Sequence, residues 1–195
     1  LERGEPDFDT PPHVVEALAA AARAGETHYP DARGTLAFRE ALVAKLAREN
    51  GIACESDDIV VTDGGTHGLY CALQGLLSPG DELMVLSPYW MAIPKLVGFA
   101  HPATFRAVPA YLDIQSGALT PEGFAGRIRA ALAPATRGIY VNTPNNPTGV
   151  VLERPYLEAL AEVAIERDLW VVSDEAYEHL LYDGARHVSL ASLPG

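Results

Sequence analysis

Apolar positions change their period along the chain, and the change divides it. Residues 11 to 24 carry Val14, Val15, Leu18, Ala21 and Ala22 at helical spacing, with Thr10 as a cap, Pro11 at the first turn and Gly25 as the stop. A polar loop, residues 26 to 34, precedes a second helical pattern over 35 to 50, built on Leu36, Phe38, Leu42, Val43 and Leu46 and closed by Asn50-Gly51. From residue 57 onward, short apolar runs alternate with helical segments. Strands are predicted at 59–62, 83–86, 103–108, 137–142 and 169–173, and helices at 66–77, 90–100, 120–133 and 155–167. Strands separated by helices predict βαβ units, hence a three-layer α/β/α fold around a mostly parallel sheet, with an N-terminal helical segment added. The expected division is 1–52 for the N-terminal arm and helices and 53–195 for the α/β body.

Composition narrows the function classes. With 195 residues, 48% hydrophobic and 21% charged, the chain has the ordinary balance of a globular protein able to bury a sizeable core. Its formal charge of −12 and scattered basic residues predict no nucleic-acid partner and no anionic membrane surface. Cys54 and Cys71 have no CxxC spacing and read as free thiols, and the six histidines show no ligand spacing, so no metal is expected. Asn146-Pro-Thr148 fails as a glycosylation sequon because its middle residue is proline. With no signal peptide and no run long enough to span a bilayer, the expected location is cytoplasmic. The chain opens at Leu1 without a methionine and closes at Gly195 just after a strand and loop, so it is expected to be a piece of a larger protein.

Candidate chemistry gathers at strand ends. Asp63-Gly-Gly-Thr66, Ser87-Pro-Tyr-Trp90, Asn142 to Gly149 and Asp174-Glu-Ala-Tyr177 each follow a predicted strand. If the strands are parallel, all four share the edge where open α/β sheets bind ligands. Gly65 and Thr66 open a helix whose free N–H groups suit a phosphate, although alone the pair is an ordinary tight turn. Trp90 offers a flat stacking face, or simply core packing. Asn146, in a rigid turn of prolines and asparagines, has an amide that can donate to an oxygen or tie the turn together. Asp174 follows a buried run and needs a partner, either a protonated ring nitrogen or an arginine. Tyr177, three residues on, can reach the same ligand, or lie on the surface.

Together these groups specify a phosphorylated aromatic heterocycle with a basic ring nitrogen and a ring oxygen, which pyridoxal 5′-phosphate satisfies. In the same residues the chain resembles the class I/II aminotransferases of fold type I, the aspartate aminotransferase family. The resemblance runs through LERGEPDFDTPP (Leu1 to Pro12), YPDARG (Tyr29 to Gly34), Gly65-Thr66, SPYW, NNPTG and SDEAY. It implies that Gly4 approaches the substrate carboxylate and that Tyr29 reaches the phosphate of a neighbouring subunit in a homodimer. Gly65 and Thr66 then bind the phosphate, Trp90 stacks on the pyridine ring, and Asn146 contacts cofactor and substrate. Asp174 pairs with the pyridinium nitrogen, and Tyr177 contacts the ring oxygen. The implied reaction moves an amino group between an amino acid and a 2-oxo acid.

The family's Schiff-base lysine is expected beyond Gly195. Lys45 sits on a helix of alternating charge that reads as a solvated face, and Lys95 lies within the helix after Trp90. The 195 residues alone are therefore expected to be inactive, the α/β body being part of the cofactor-binding large domain. A lyase of the same fold, or a regulator carrying such a domain, are the alternatives; the regulator needs a basic helix-turn-helix upstream of Leu1. A nucleotide hydrolase is excluded because neither lysine stands in a P-loop.

Overall fold

The computed structural model describes residues 8–100 and 102–195. Gly4 lies outside the described residues. Four strands, β1 (Glu82–Ser87), β2 (Thr104–Pro109), β3 (Thr136–Asn142) and β4 (Trp170–Asp174), form one sheet in the order β2-β1-β3-β4. All three pairings are parallel. Parallel order requires crossovers, and the helices between the strands supply them.

Among the described residues, seven α-helices accompany the sheet: α1 (Pro12–Arg23), α2 (Leu36–Lys45), α3 (Gly64–Leu76), α4 (Ile93–Ala100), α5 (Tyr111–Gln115), α6 (Pro121–Ala131) and α7 (Arg154–Glu166). Both faces of the central strands are covered, which explains their unbroken apolar runs. Met84, Leu86, Ile139 and Val141 pack against Tyr111, Phe124, Ile128, Leu157, Leu160 and Val163 of α5, α6 and α7. The alternate residues Leu83, Val85 and Tyr140 pack against Leu73, Ile93 and Val97 of α3 and α4. The expected three-layer architecture follows directly from this division. Glu82 begins the inner strand β1 in a buried position. Burial raises its pKa, but hydrogen bonds from Arg106 and Thr136 outweigh that and hold the carboxyl below its ordinary value.

The expected strand at 59–62 does not join the sheet. Among the described residues no ladder includes it; Val61 N–H donates to Arg33 O at 2.9 Å, and Val60 is 60% exposed. A short apolar run favours an extended backbone but does not by itself supply a partner strand. Helix α5 was not expected, because five residues are too few for a period to show. The second predicted helix is interrupted: α2 passes at Leu46 into a wider turn ending at Asn50, and Gly51 closes it at φ +68°.

The loop before α2 is fixed by tertiary contacts. Arg39, almost fully buried, donates to the carbonyls of Gly34 and Ser56 and pairs with Asp57. Gly34 has φ +97°, and a Cβ there would stand 2.5 Å from Val61 Cγ2. Glycine thus meets both a backbone and a packing requirement.

Candidate active site

The parallel order places the carboxyl ends of β1, β3 and β4 on one edge, where Asn142 and Asp174 are direct partners across the ladder. A cleft of about 190 Å³ opens there, lined by Gly65, Thr66, Leu69, Trp90, Asn142, Asn146, Asp174, Ala176 and Tyr177. Six of the sequence-predicted site residues, Gly65, Thr66, Trp90, Asn146, Asp174 and Tyr177, therefore meet in one place. Tyr29 does not join them. It is 104% exposed on the loop fixed by Arg39. Larger hollows lie elsewhere, one of about 490 Å³ between α7 and residues 190–195, but that one is lined mainly by aliphatic side chains and gathers no comparable donor set.

Each wall of the cleft has a local cause. Helix α3 opens at Asp63-Gly64, where Gly64 N–H turns back to Thr62 O and Asp63 N–H donates to His67 Nδ1. Among the described residues, no acceptor takes the N–H groups of Gly65 or Thr66. A Cβ at Gly65 would meet nothing within 4 Å, so the space before this helix start is open. Trp90 serves two purposes, packing partly against the α3–α4 core while lining the cleft.

The turn after β3 is cross-braced. Asn145 Nδ2 donates to Pro88 O, joining this turn to the one after β1, and Asn145 Oδ1 accepts from Thr148 N–H and Oγ1. Asn146 N–H donates to Asn142 Oδ1 at 2.7 Å, leaving its side chain to reach Tyr177 OH at 3.3 Å. Asn142 in turn donates to Asp174 O, and its backbone exchanges hydrogen bonds with the buried phenol of Tyr111. Burial, only partly offset by those hydrogen bonds, raises the Tyr111 pKa well above its usual range and keeps the phenol protonated.

Among the described residues, Asp174 is the only carboxylate lining the cleft, and no cationic side chain lines it. Its Oδ2 accepts from Tyr140 OH at 2.7 Å and its Oδ1 from Ala176 N–H at 3.1 Å. Lone pairs remain for a ligand proton. The cleft thus holds one negative side chain, while the helix start on another wall carries partial positive charge. A ligand with a cationic ring atom and a separate anionic group satisfies both.

The next acidic residue belongs to another network. Glu175 accepts from Ser173 Oγ, Ser189 Oγ, Leu190 N–H and His187 Nε2. Glu178 pairs with Lys45 and accepts from Asn50, which also donates to Ser189 Oγ. Glu175, Glu178 and His187 approach within 4.8 Å, but the Lys45 ammonium already neutralises Glu178. Lys45 is consequently half-buried and bonded rather than on a purely solvated face, and it does not line the cleft.

Comparison with known proteins decides the family. The model described as aminotransferase class I and II matches residues 1–193. The chain belongs to the class I and II aminotransferase family. The aspartate/prephenate aminotransferase of Thermus thermophilus is 46% identical over 187 residues, covering 94% of this chain and 46% of that protein. An arginine–pyruvate transaminase of Pseudomonas aeruginosa is 40% identical and covers 100% of this chain and 48% of its own length. Among solved structures, an aromatic aminotransferase from Pyrococcus horikoshii superposes with a TM-score of 0.91 at 37% identity, covering 99% of this chain and 50% of that one. The chain spans about half the length of the curated relatives it matches. The family's cofactor is pyridoxal 5′-phosphate.

The residues of the cleft fit that group. An aromatic face, two donors in mutual contact (Asn146 and Tyr177), a lone carboxylate and free helix-start N–H groups match a pyridine ring, its ring oxygen, its nitrogen and its phosphate. Sequence reasoning missed Asn142 and Tyr140. Asn142 was the residue ending the strand, and its side chain braces both Asn146 and Asp174. Tyr140 stood inside an apolar run, where a polar atom in need of a partner was the available signal.

Proposed function

We propose that the cleft holds pyridoxal 5′-phosphate and that the whole protein transfers an amino group between an amino acid and a 2-oxo acid. The observation carrying this reading is the single carboxylate, Asp174, sharing one cleft with an open helix start and the Asn146–Tyr177 pair. When bound, the cofactor supplies an electron sink for the carbanion formed at the substrate Cα. Asp174 holds a proton at the ring nitrogen, Asn146 and Tyr177 donate toward the ring oxygen, and Trp90 covers one ring face. Gly65 and Thr66 offer N–H groups to the phosphate. Gly4 approaches the substrate carboxylate by the resemblance given above, and Trp90 and Asn146 also border the substrate.

The reaction needs a lysine to hold the cofactor and move the Cα proton. Neither Lys45 nor Lys95 lines the cleft; in this reading the lysine belongs to the part of the relatives' length that this chain does not span. Tyr29 is fully exposed on a braced loop, and that exposure supports a reading in which it serves the phosphate site of a second copy in a homodimer with shared sites. The division into an arm with helices (1–52) and a partial cofactor-binding domain (53–195) belongs to the same reading, as does a cytoplasmic location. Among the described residues no helix is long and apolar enough to cross a membrane.

The relatives above carry transaminase names, which favours transfer over elimination or decarboxylation. Incubating the whole protein with cofactor, a panel of amino acids and a 2-oxo acid should yield a new amino acid and a new 2-oxo acid in equal amounts. Release of ammonia or carbon dioxide instead would make it a lyase, and cofactor binding without turnover would refute transfer.

A further inference from the structure

Tyr140 poses a physical question. It lies in the central strand β3, is 1% exposed, and packs with Leu73, Leu83 and Val85 on the α3–α4 face. Phenylalanine would bury the same ring without desolvating a hydroxyl, which is costly unless a hydrogen bond compensates. The compensation here is one contact, 2.7 Å to Asp174 Oδ2. Asp174 follows Tyr140 by 34 positions and belongs to the adjacent strand, so the contact is set by sheet register rather than by local sequence.

We propose that Tyr140 is a positioning residue that holds the Asp174 carboxylate in one orientation, facing the cofactor's ring nitrogen, so that the proton between them resides on the ring. This rests on the pyridoxal phosphate reading of the cleft. The two carboxylate oxygens are anchored separately, Oδ2 by the phenol and Oδ1 by Ala176 N–H, which fixes the carboxylate plane. A hydrogen bond donated to a carboxylate favours its charged form over the neutral acid. Burial first, and then the Asp174 charge, push the Tyr140 phenol far above its ordinary range, so Tyr140 keeps its proton and toward Asp174 can only donate. The Tyr140 ring itself does not line the cleft. It acts through Asp174.

The test is nitrogen NMR of the whole holoprotein carrying cofactor labelled at the ring nitrogen, compared among wild type, Tyr140→Phe and Asp174→Asn. Tyr140→Phe should move the signal part of the way toward unprotonated pyridine and lower kcat/KM about tenfold, the scale of one hydrogen bond to a charged group. Asp174→Asn should move the signal further. If Asp174→Asn moves it and Tyr140→Phe does not, the role of Tyr140 is overturned while the cofactor reading stands. If neither moves it, the cofactor reading fails as well. A second measurement separates positioning from packing. Tyr140→Phe should weaken binding of pyridoxal phosphate but not of its analogue with CH in place of the ring nitrogen. Equal weakening of both would mean a structural role only and overturn the inference.

Discussion

Replacing Asp174 with asparagine in the whole protein should lower kcat/KM by about 10²–10³-fold, the scale for deleting one preorganised electrostatic group at a reacting centre. The fold should suffer far less. Asparagine is nearly isosteric; its oxygen can still accept from Ala176 N–H and its amide can donate to the Tyr140 oxygen, so both anchors of the native side chain survive in altered form. What disappears is the charge that a cationic ring nitrogen would face. Asp174→Ala is a harsher change. It strands the buried Tyr140 hydroxyl without a partner, at a cost of about 1–3 kcal/mol, and so mixes stability with chemistry. Steady-state kinetics and denaturant unfolding of the asparagine variant separate the two. If activity falls only in proportion to folded protein, Asp174 is a structural residue and the cofactor reading loses its anchor.

The neighbouring carboxylate should behave in the opposite way. Glu175→Ala is expected to destabilise the whole protein by about 1–3 kcal/mol, the range for leaving partly buried hydrogen-bonding groups without their partner. Four donors lose their acceptor at once: Ser173, His187, Ser189 and the Leu190 N–H. The loss also reaches α2, because Ser189 holds Asn50, and Asn50 with Lys45 holds Glu178. pH dependence gives an independent check. Burial raises the Glu175 pKa, but the hydrogen bonds from His187, Ser189, Ser173 and Leu190 outweigh it and leave the carboxyl below its ordinary value of 4.5. A carboxyl whose folded pKa is depressed stabilises the fold above its unfolded pKa, and that contribution is lost as pH falls through the folded value. The wild-type protein should therefore lose stability as pH drops below about 4.5, and Glu175→Ala should show less of that acid-side loss. Denaturant midpoints measured across that window test it. Parallel pH profiles for the two proteins would show that Glu175 contributes no such linkage.

The difference between Asp174 and Glu175 shows where the sequence is legible. Both stand in the same short motif after the same strand. Strand-end position, readable from the apolar runs before them, was enough to place Asp174, Asn146 and Trp90 on one edge, because a parallel sheet brings its carboxyl ends together whatever its register; Gly65 lines the same cleft although the run before it joins no ladder. It could not say that Glu175 turns away toward His187 and Ser189, or that Asn50 closes that network from 139 positions before Ser189. Such contacts depend on how distant elements dock, which local pattern does not encode. Tyr140 was hidden for another reason: in the run Ile139-Tyr-Val141, buried on both faces, no alternation marks the residue whose polar tip reaches the site. The predicted strand at 59–62 failed on the same principle, since Ile59, Val60 and Val61 favour extension but pairing is a property of two segments.

The most direct test is a crystal structure of the whole protein with pyridoxal 5′-phosphate. The cofactor ring should lie against Trp90 with its nitrogen within hydrogen-bond distance of Asp174, its ring oxygen beside Asn146 and Tyr177, and its phosphate at the N–H groups of Gly65 and Thr66, with Tyr29 of a second copy reaching that phosphate. A cofactor bound in another hollow, or turned so that its nitrogen faces away from Asp174, would contradict the assignment of this cleft.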